Sequence, residues 1–169
     1  MISIARTHRV GAILAAILLA ASIACKKEAP APVSIPSYEK VAPSPVGSSQ
    51  NILQKTFSLK NSSTFPFQIP AHAVSPHLHG IFESFAGDVH GASDDTANVD
   101  FLILSEEQYT DFAAGHQGEA LFSVDSSHNQ TVNFDLPPSL GQPAKYYLIF
   151  RKAGAEGKRV VEANFRIDF

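Results

Sequence analysis

The stretch KRVVEANFRIDF constrains this chain more than any other. Val161, Ala163, Phe165, Ile167 and Phe169 fall on one side of a period of two, and Glu162, Asn164, Arg166 and Asp168 on the other. Successive side chains of a strand point to opposite faces, whereas a helix would scatter these apolar residues around its axis, so the stretch buries one face only as a β-strand. TVNFDLP repeats the pattern, with Val132, Phe134 and Leu136 opposed to Thr131, Asn133 and Asp135. The runs FSL, TFPFQIP, HLHGIFESF, ANVDFLIL, EALFSVD and KYYLIF bring the total to eight. Eight short strands at this spacing predict an all-β fold, an eight-stranded antiparallel β-sandwich of jelly-roll type. Pro66 cannot donate to a ladder, so its strand is expected at a sheet edge.

One stretch departs from the period. In SEEQYTDFAAGH, Ser105 and Gln108 form a capping box, and Glu106 and Glu107 occupy the first turn, where the helix dipole favours carboxylates. Tyr109 and Phe112 share a face and Gly115 can close the end, which predicts one short helix across an end of the sheets.

The strands place the folded unit at residues 51–169, which contains all 12 phenylalanines and none of the chain's cysteine. Packing alone must therefore stabilise it. From Asn51 onward 8 basic residues face 14 acidic ones. A net charge near −6 without a basic stripe argues against a nucleic-acid partner.

Residues 1–24 read as a signal peptide. Arg6 and Arg9 precede the uncharged run Val10–Ala24, whose 15 residues fall short of the roughly 18 that a membrane-spanning helix needs. Ser22-Ile23-Ala24-Cys25 resembles a lipobox, in which a peptidase cuts before a cysteine carrying diacylglycerol; the departure is Ser22, where leucine is usual. The same residues also fit an ordinary small-x-small cleavage site, which would leave Cys25 a free thiol. Lipid on Cys25 with Lys26 and Lys27 beside it supplies the two signals that stable anchoring requires. Gram-negative lipoproteins retained in the inner membrane commonly carry aspartate after the cysteine, and Lys26 stands there instead. The expected address is thus the bacterial envelope, on the outer membrane facing the periplasm. Residues 25–50 form the expected tether, with Pro30, Pro32, Pro36, Pro43 and Pro45 favouring extended polyproline II.

The order LHGIF, an acidic loop, VDFLILSEEQYTDFAAG, a strand pair, YYLIF and VVEANFRIDF resembles the GOLD (Golgi dynamics) β-sandwich over residues 77–169. The matching positions are core and turn residues, so the resemblance implies a non-catalytic sandwich used for binding or assembly, with another envelope protein as a candidate partner. The paired cysteines, coiled coil and membrane helix of GOLD cargo receptors find no match in these 169 residues, and Arg151 and Lys152 replace the asparagine that commonly follows the Tyr-x-Leu-x-Phe strand. Cargo binding in the vesicle sense does not carry over.

Candidate chemistry is sparse. His77 and His79, at i and i+2 on a strand, share a face and could begin a Zn²⁺ or Cu²⁺ site, with His72, Glu83, His90 or His116 as further ligands. Leu78, Gly80 and Phe82 facing the core would equally leave both imidazoles merely solvated. Asp94, Asp95 and Asp100 offer hard oxygens for Ca²⁺, though without EF-hand spacing. No G-x-S-x-G elbow is present, and paired acids such as Glu83, Asp100 and Glu119 occur in any acidic domain, so no catalytic residue and no cofactor is expected. Tyr146 and Tyr147 alternate, which predicts one in the core and one exposed. An exposed Tyr147 beside Arg151 would make a partner anchor.

Overall fold

The computed structural model describes residues 45–116, 118–154 and 156–169. The eight expected strands are β1 (Ser49–Leu59), β2 (Ser62–Ile69), β3 (His77–Ala86), β4 (Val99–Ser105), β5 (Phe122–Ser127), β6 (Asn129–Asp135), β7 (Ala144–Lys152) and β8 (Arg159–Asp168). β1 begins two residues ahead of the boundary expected for the domain. The expected signal peptide, Cys25 and residues 25–44 of the expected tether lie outside the described residues.

Two four-stranded antiparallel sheets form, ordered β1-β8-β3-β6 and β2-β7-β4-β5. Apart from the β4-β5 hairpin, the chain changes sheet at every connection, which is the jelly-roll winding. β2 is an edge strand, so the missing N–H of Pro66 costs no ladder bond, as expected. At the other sheet's edge, Lys55 stands opposite buried Ala163, among the inward positions of β1, yet is exposed. A lysine so placed guards a long edge against strand addition.

Between the sheets, Phe82, Phe101, Phe150 and Phe165 are fully buried. Their rings meet at 5.0 to 6.3 Å: Phe101 stacks on Phe165 at 5.2 Å, and Phe82 meets Phe150 edge to face at 5.5 Å. Such offset and T-shaped pairs add to the burial of each ring.

Helix α1 (Glu106–Ala113) follows β4 without a break. Ser105 Oγ accepts from Gln108 N at 3.2 Å while Ser105 N donates to Gln108 Oε1 at 2.9 Å, the reciprocal box read from the sequence. Instead of crossing an end of the sheets as expected, the helix lies over the outer face of β4 and β7, where Tyr109, Phe112 and Ala120 cover Leu102, Leu104, Tyr147 and Ile149 in a second apolar cluster. Tyr109 and Tyr147 stack at 3.8 Å with planes 13° apart.

This cluster corrects one expectation. Tyr147 is not exposed; it retains 7% of its surface, and Tyr146, stacked on Phe67 at 5.7 Å, is buried as well. β7 is apolar on both faces because both faces are covered.

Candidate functional site

With α1 lying over β4 and β7 at the centre of one outer face, the outer face of β1-β8-β3-β6 is the uncovered one across all four strands. Antiparallel register arranges its side chains in rows across all four strands. Ser49, Asp168, His77 and Asp135 form the first row, and Asn51, Arg166, His79 and Asn133 the second. Gln54, Asn164, Ile81 and Thr131 form the third, and Thr56, Glu162, Glu83 and Asn129 the fourth. Carboxamides, hydroxyls, acids and imidazoles thus alternate around Ile81, which keeps 47% of its surface exposed.

Two shallow grooves meet on this face and share Ile81 and Asn164. One, of about 410 Å³, runs past Gln54, Thr56, Glu83 and Glu162. The other, of about 310 Å³, runs past His79, Thr131, Asn133 and Arg166.

The histidines expected to share a face do so, their rings 5.9 Å apart. His77 Nδ1 lies 2.6 Å from Asp135 Oδ1. His79 Nε2 is shielded from solvent and lies 3.6 Å from Asp168 Oδ2, an electrostatic contact rather than a hydrogen bond. Asp168 also accepts from Ser49 Oγ. That hydrogen bond is the main reason the Asp168 carboxyl lies below its ordinary range; burial opposes it, and the fields of His79, Arg166 and His77 assist it.

Glu83 shares their face of β3 four residues beyond His79, whereas the other histidines proposed with them are elsewhere. His72 stands in the loop after β2 with φ 62°, and His116, after α1, faces Asp111 at 3.7 Å. His90 lies in the loop after β3, at the far end of that strand from His77. Among the described residues, no three His, Cys, Asp or Glu side chains gather in a metal-holding arrangement.

The three aspartates considered for calcium are engaged separately. Asp94 caps the short 3₁₀ turn Asp95–Ala97 and accepts from Thr96 Oγ1 and N at 2.6 and 2.9 Å, bonds that lower its pKa. Asp95 accepts from Asn98 Nδ2 at 3.3 Å. Asp100, whose side chain is 14% exposed, pairs with Arg151 directly across β4 and β7: Nε and Nη2 approach Oδ2 at 3.0 and 2.9 Å. Its other oxygen accepts from Ser126 N at 3.1 Å, at the irregularity where β5 shifts register and Ser126 takes φ 52°. Asp100 interrupts an apolar strand because it fastens β7 and the β5 bulge to β4. Arg151, expected beside an exposed tyrosine, is committed to this pair.

Sequence reasoning missed the like-charge pair on the open face. Glu83 and Glu162 stand directly opposite across β3 and β8, and among the described residues neither has a cation within ion-pair distance. Thr56 Oγ1 reaches Glu162 at 3.5 Å. The register that pairs them joins residues 79 positions apart, so only the known strand order could have found it.

No family model matches the sequence, and no curated protein matches it. Among solved structures, the chain is similar to TmCBM61, in complex with beta-1,4-galactotriose, with TM-score 0.40 and 11% identity over 66% of this chain and 67% of that one. It is also similar to the CBM36-1 domain of a multidomain xylanase from the hindgut metagenome of Trinervitermes trinervoides, with TM-score 0.38 and 5% identity over 72% and 96%. A third similarity is to the infectious bursal disease virus Gt strain structure, with TM-score 0.38 and 14% identity over 71% of this chain and 32% of that one.

Proposed function

We propose that this protein is a lipid-anchored, non-catalytic binding or assembly module of the bacterial envelope. In this reading Cys25 carries the lipid, the anchor sits in the outer membrane's periplasmic leaflet, and the open face of β1-β8-β3-β6 meets an envelope partner. The observation that carries it is the asymmetry of the sandwich. The centre of one outer face, over β4 and β7, is covered by α1, while the other exposes a four-strand array of hydrogen-bonding groups around Ile81 and an uncompensated acid pair. Asp100 is engaged with Arg151, and Asp94 and Ser105 cap a turn and a helix. The GOLD-like order of motifs supports an accessory role of the same kind.

A photo-crosslinking amino acid at Ile81 tests this in membranes that carry the acylated chain. Discrete adducts from Ile81 are expected, with none from Asp111 on the outer side of α1. Adducts of equal yield and pattern from both positions would remove the open face from the reading.

A second reading follows from the histidines: His77 and His79 hold Zn²⁺ or Cu²⁺, with Asp135 and Asp168 orienting the rings from behind as carboxylates do around metal-bound imidazoles. Elemental analysis of purified protein separates the two. Stoichiometric metal, lost in the His77→Ala/His79→Ala double variant, selects the metal reading.

A further inference from the structure

Among the described residues, the three most exposed large aliphatic side chains are Leu140 at 82%, Val46 at 71% and Val74 at 68%. All three stand at one end of the sandwich. Val46 precedes β1, whose first residue pairs with the end of β8, and the end of β8 pairs with the start of β3. Val74 lies in the loop entering β3, and Leu140 in the loop between β6 and β7.

The two loops are locked together. Ser139 N donates to Ala73 O at 2.9 Å, Ala73 N donates to Ser139 Oγ at 2.9 Å, Ser139 Oγ donates to Pro70 O at 2.5 Å and His72 N donates to Leu140 O at 2.9 Å. Ala73 and Ser139 are buried in this clasp, whereas their neighbours Val74 and Leu140 are held in water. Pro70, Pro76, Pro137, Pro138 and Pro143 restrict the same loops further. A rigid base that presents bare aliphatic tips serves nothing in the fold's own packing.

The position of the tips selects their occupant. Val46 stands where the chain enters the sandwich, and Pro45 is twenty positions on from Cys25. A linker of that length spans about 60 Å as polyproline II and roughly 25 Å root-mean-square as a flexible coil. On the reading that Cys25 is acylated, on which this inference rests, the domain is held near the bilayer by the end that bears the tips. Confinement at such an effective concentration lets a weak contact prevail.

We propose that this end is a membrane-docking tip: Leu140 and Val74, with Val46 at the same end, enter the headgroup region of a zwitterionic phospholipid surface and orient the sandwich on it. The same end carries Asp135, Asp168, Glu106 and Glu107 against Lys145 and Arg166, an acidic balance, so attraction to anionic lipid is not the driving force; burial of the aliphatic tips is.

The chain contains no tryptophan, so Leu140→Trp introduces its sole indole at the most exposed of these positions. The full acylated chain is reconstituted into phosphatidylethanolamine–phosphatidylcholine vesicles with brominated acyl chains, and the intact mass of its N-terminus is measured on the same sample. Val89→Trp, in the loop after β3 at the opposite end, is the control. Acylated protein whose Leu140→Trp emission shifts to the blue and loses most of its intensity, while Val89→Trp stays unquenched, supports the tip. Acylated protein that floats with vesicles but leaves both indoles equally unquenched overturns docking and keeps the anchor. An unmodified cysteine on protein that stays in solution overturns the anchor and the tip together.

Discussion

Gly80, at the centre of β3, shows how closely single residues are specified. A Cβ there would stand 2.4 Å from the Asn164 carbonyl oxygen and 2.6 Å from the Phe165 ring. Phe165 leans over the glycine of the neighbouring strand and is held from its other side by Phe101 and Phe150, so it has nowhere to retreat. Gly80→Ala is therefore expected to lose about 1–3 kcal/mol, the usual cost of overpacking, read as a lower urea midpoint by circular dichroism at unchanged slope. Asp168 has a different signature. Its folded pKa lies below its unfolded value, so its contribution is present above about pH 4 and is lost as pH falls through the folded pKa. Because the Ser49 hydrogen bond is the main cause, Ser49→Ala should flatten the fall in urea midpoint between pH 5 and pH 2 relative to the parent. An unchanged profile would assign the acid sensitivity to other carboxylates. Neither feature is written in the sequence as such. LHGIF shows that Gly80 is inward, but its reason is Phe165, a partner 85 positions away that only the β3–β8 register brings into contact.

At the scale of elements, the helix was legible and its consequence was not. SEEQ announces a capping box, and the box forms. Ser105→Ala should cost about 1 kcal/mol, the typical value of an N-cap, and should weaken amide protection in α1 before that in the strands. What this helix covers was also encoded, in a signal that alternation hides. VDFLIL and YYLIF are nearly continuous apolar runs, and a strand apolar on both faces is buried on both. Tyr147 was expected at the surface because period two was applied to a strand that breaks it. Removal of its ring by Tyr147→Ala should therefore cost roughly 3 kcal/mol and loosen α1, since the Tyr109 stack goes with it. Loss of a partner contact with stability intact would instead return Tyr147 to the surface role first assigned to it.

At the scale of the whole sandwich, three unlike surfaces share one core: a face whose centre is covered by α1, an open polar face, and an end with exposed aliphatic side chains where the chain enters. Strand number and the aromatic core could be read from alternation, and the edge position of β2 from the missing N–H of Pro66, because each follows from local sequence. The open face could not, because rows such as Asn51-Arg166-His79-Asn133 join four separate segments through jelly-roll winding. Its most informative feature is the Glu83–Glu162 pair. Like charges directly opposite on neighbouring strands destabilise a sheet by a fraction of a kcal/mol, and a face serving structure alone has no reason to keep them. Glu83→Gln removes the repulsion while keeping the shape and hydrogen-bonding capacity of the side chain. At low ionic strength it should stabilise the domain by a few tenths of a kcal/mol, seen as a higher melting temperature. In about 1 M salt, where the screening length falls to about 3 Å, the gain should vanish. In membranes, the same variant should weaken the adducts formed from Ile81, because the acids that strain the sheet are then the ones a partner's donor groups relieve. Stability bought back at the cost of binding is the pattern of a functional surface. A Glu83→Gln domain that is more stable and crosslinks as well as the parent would show the pair to be incidental, and would move the binding surface away from this part of the face.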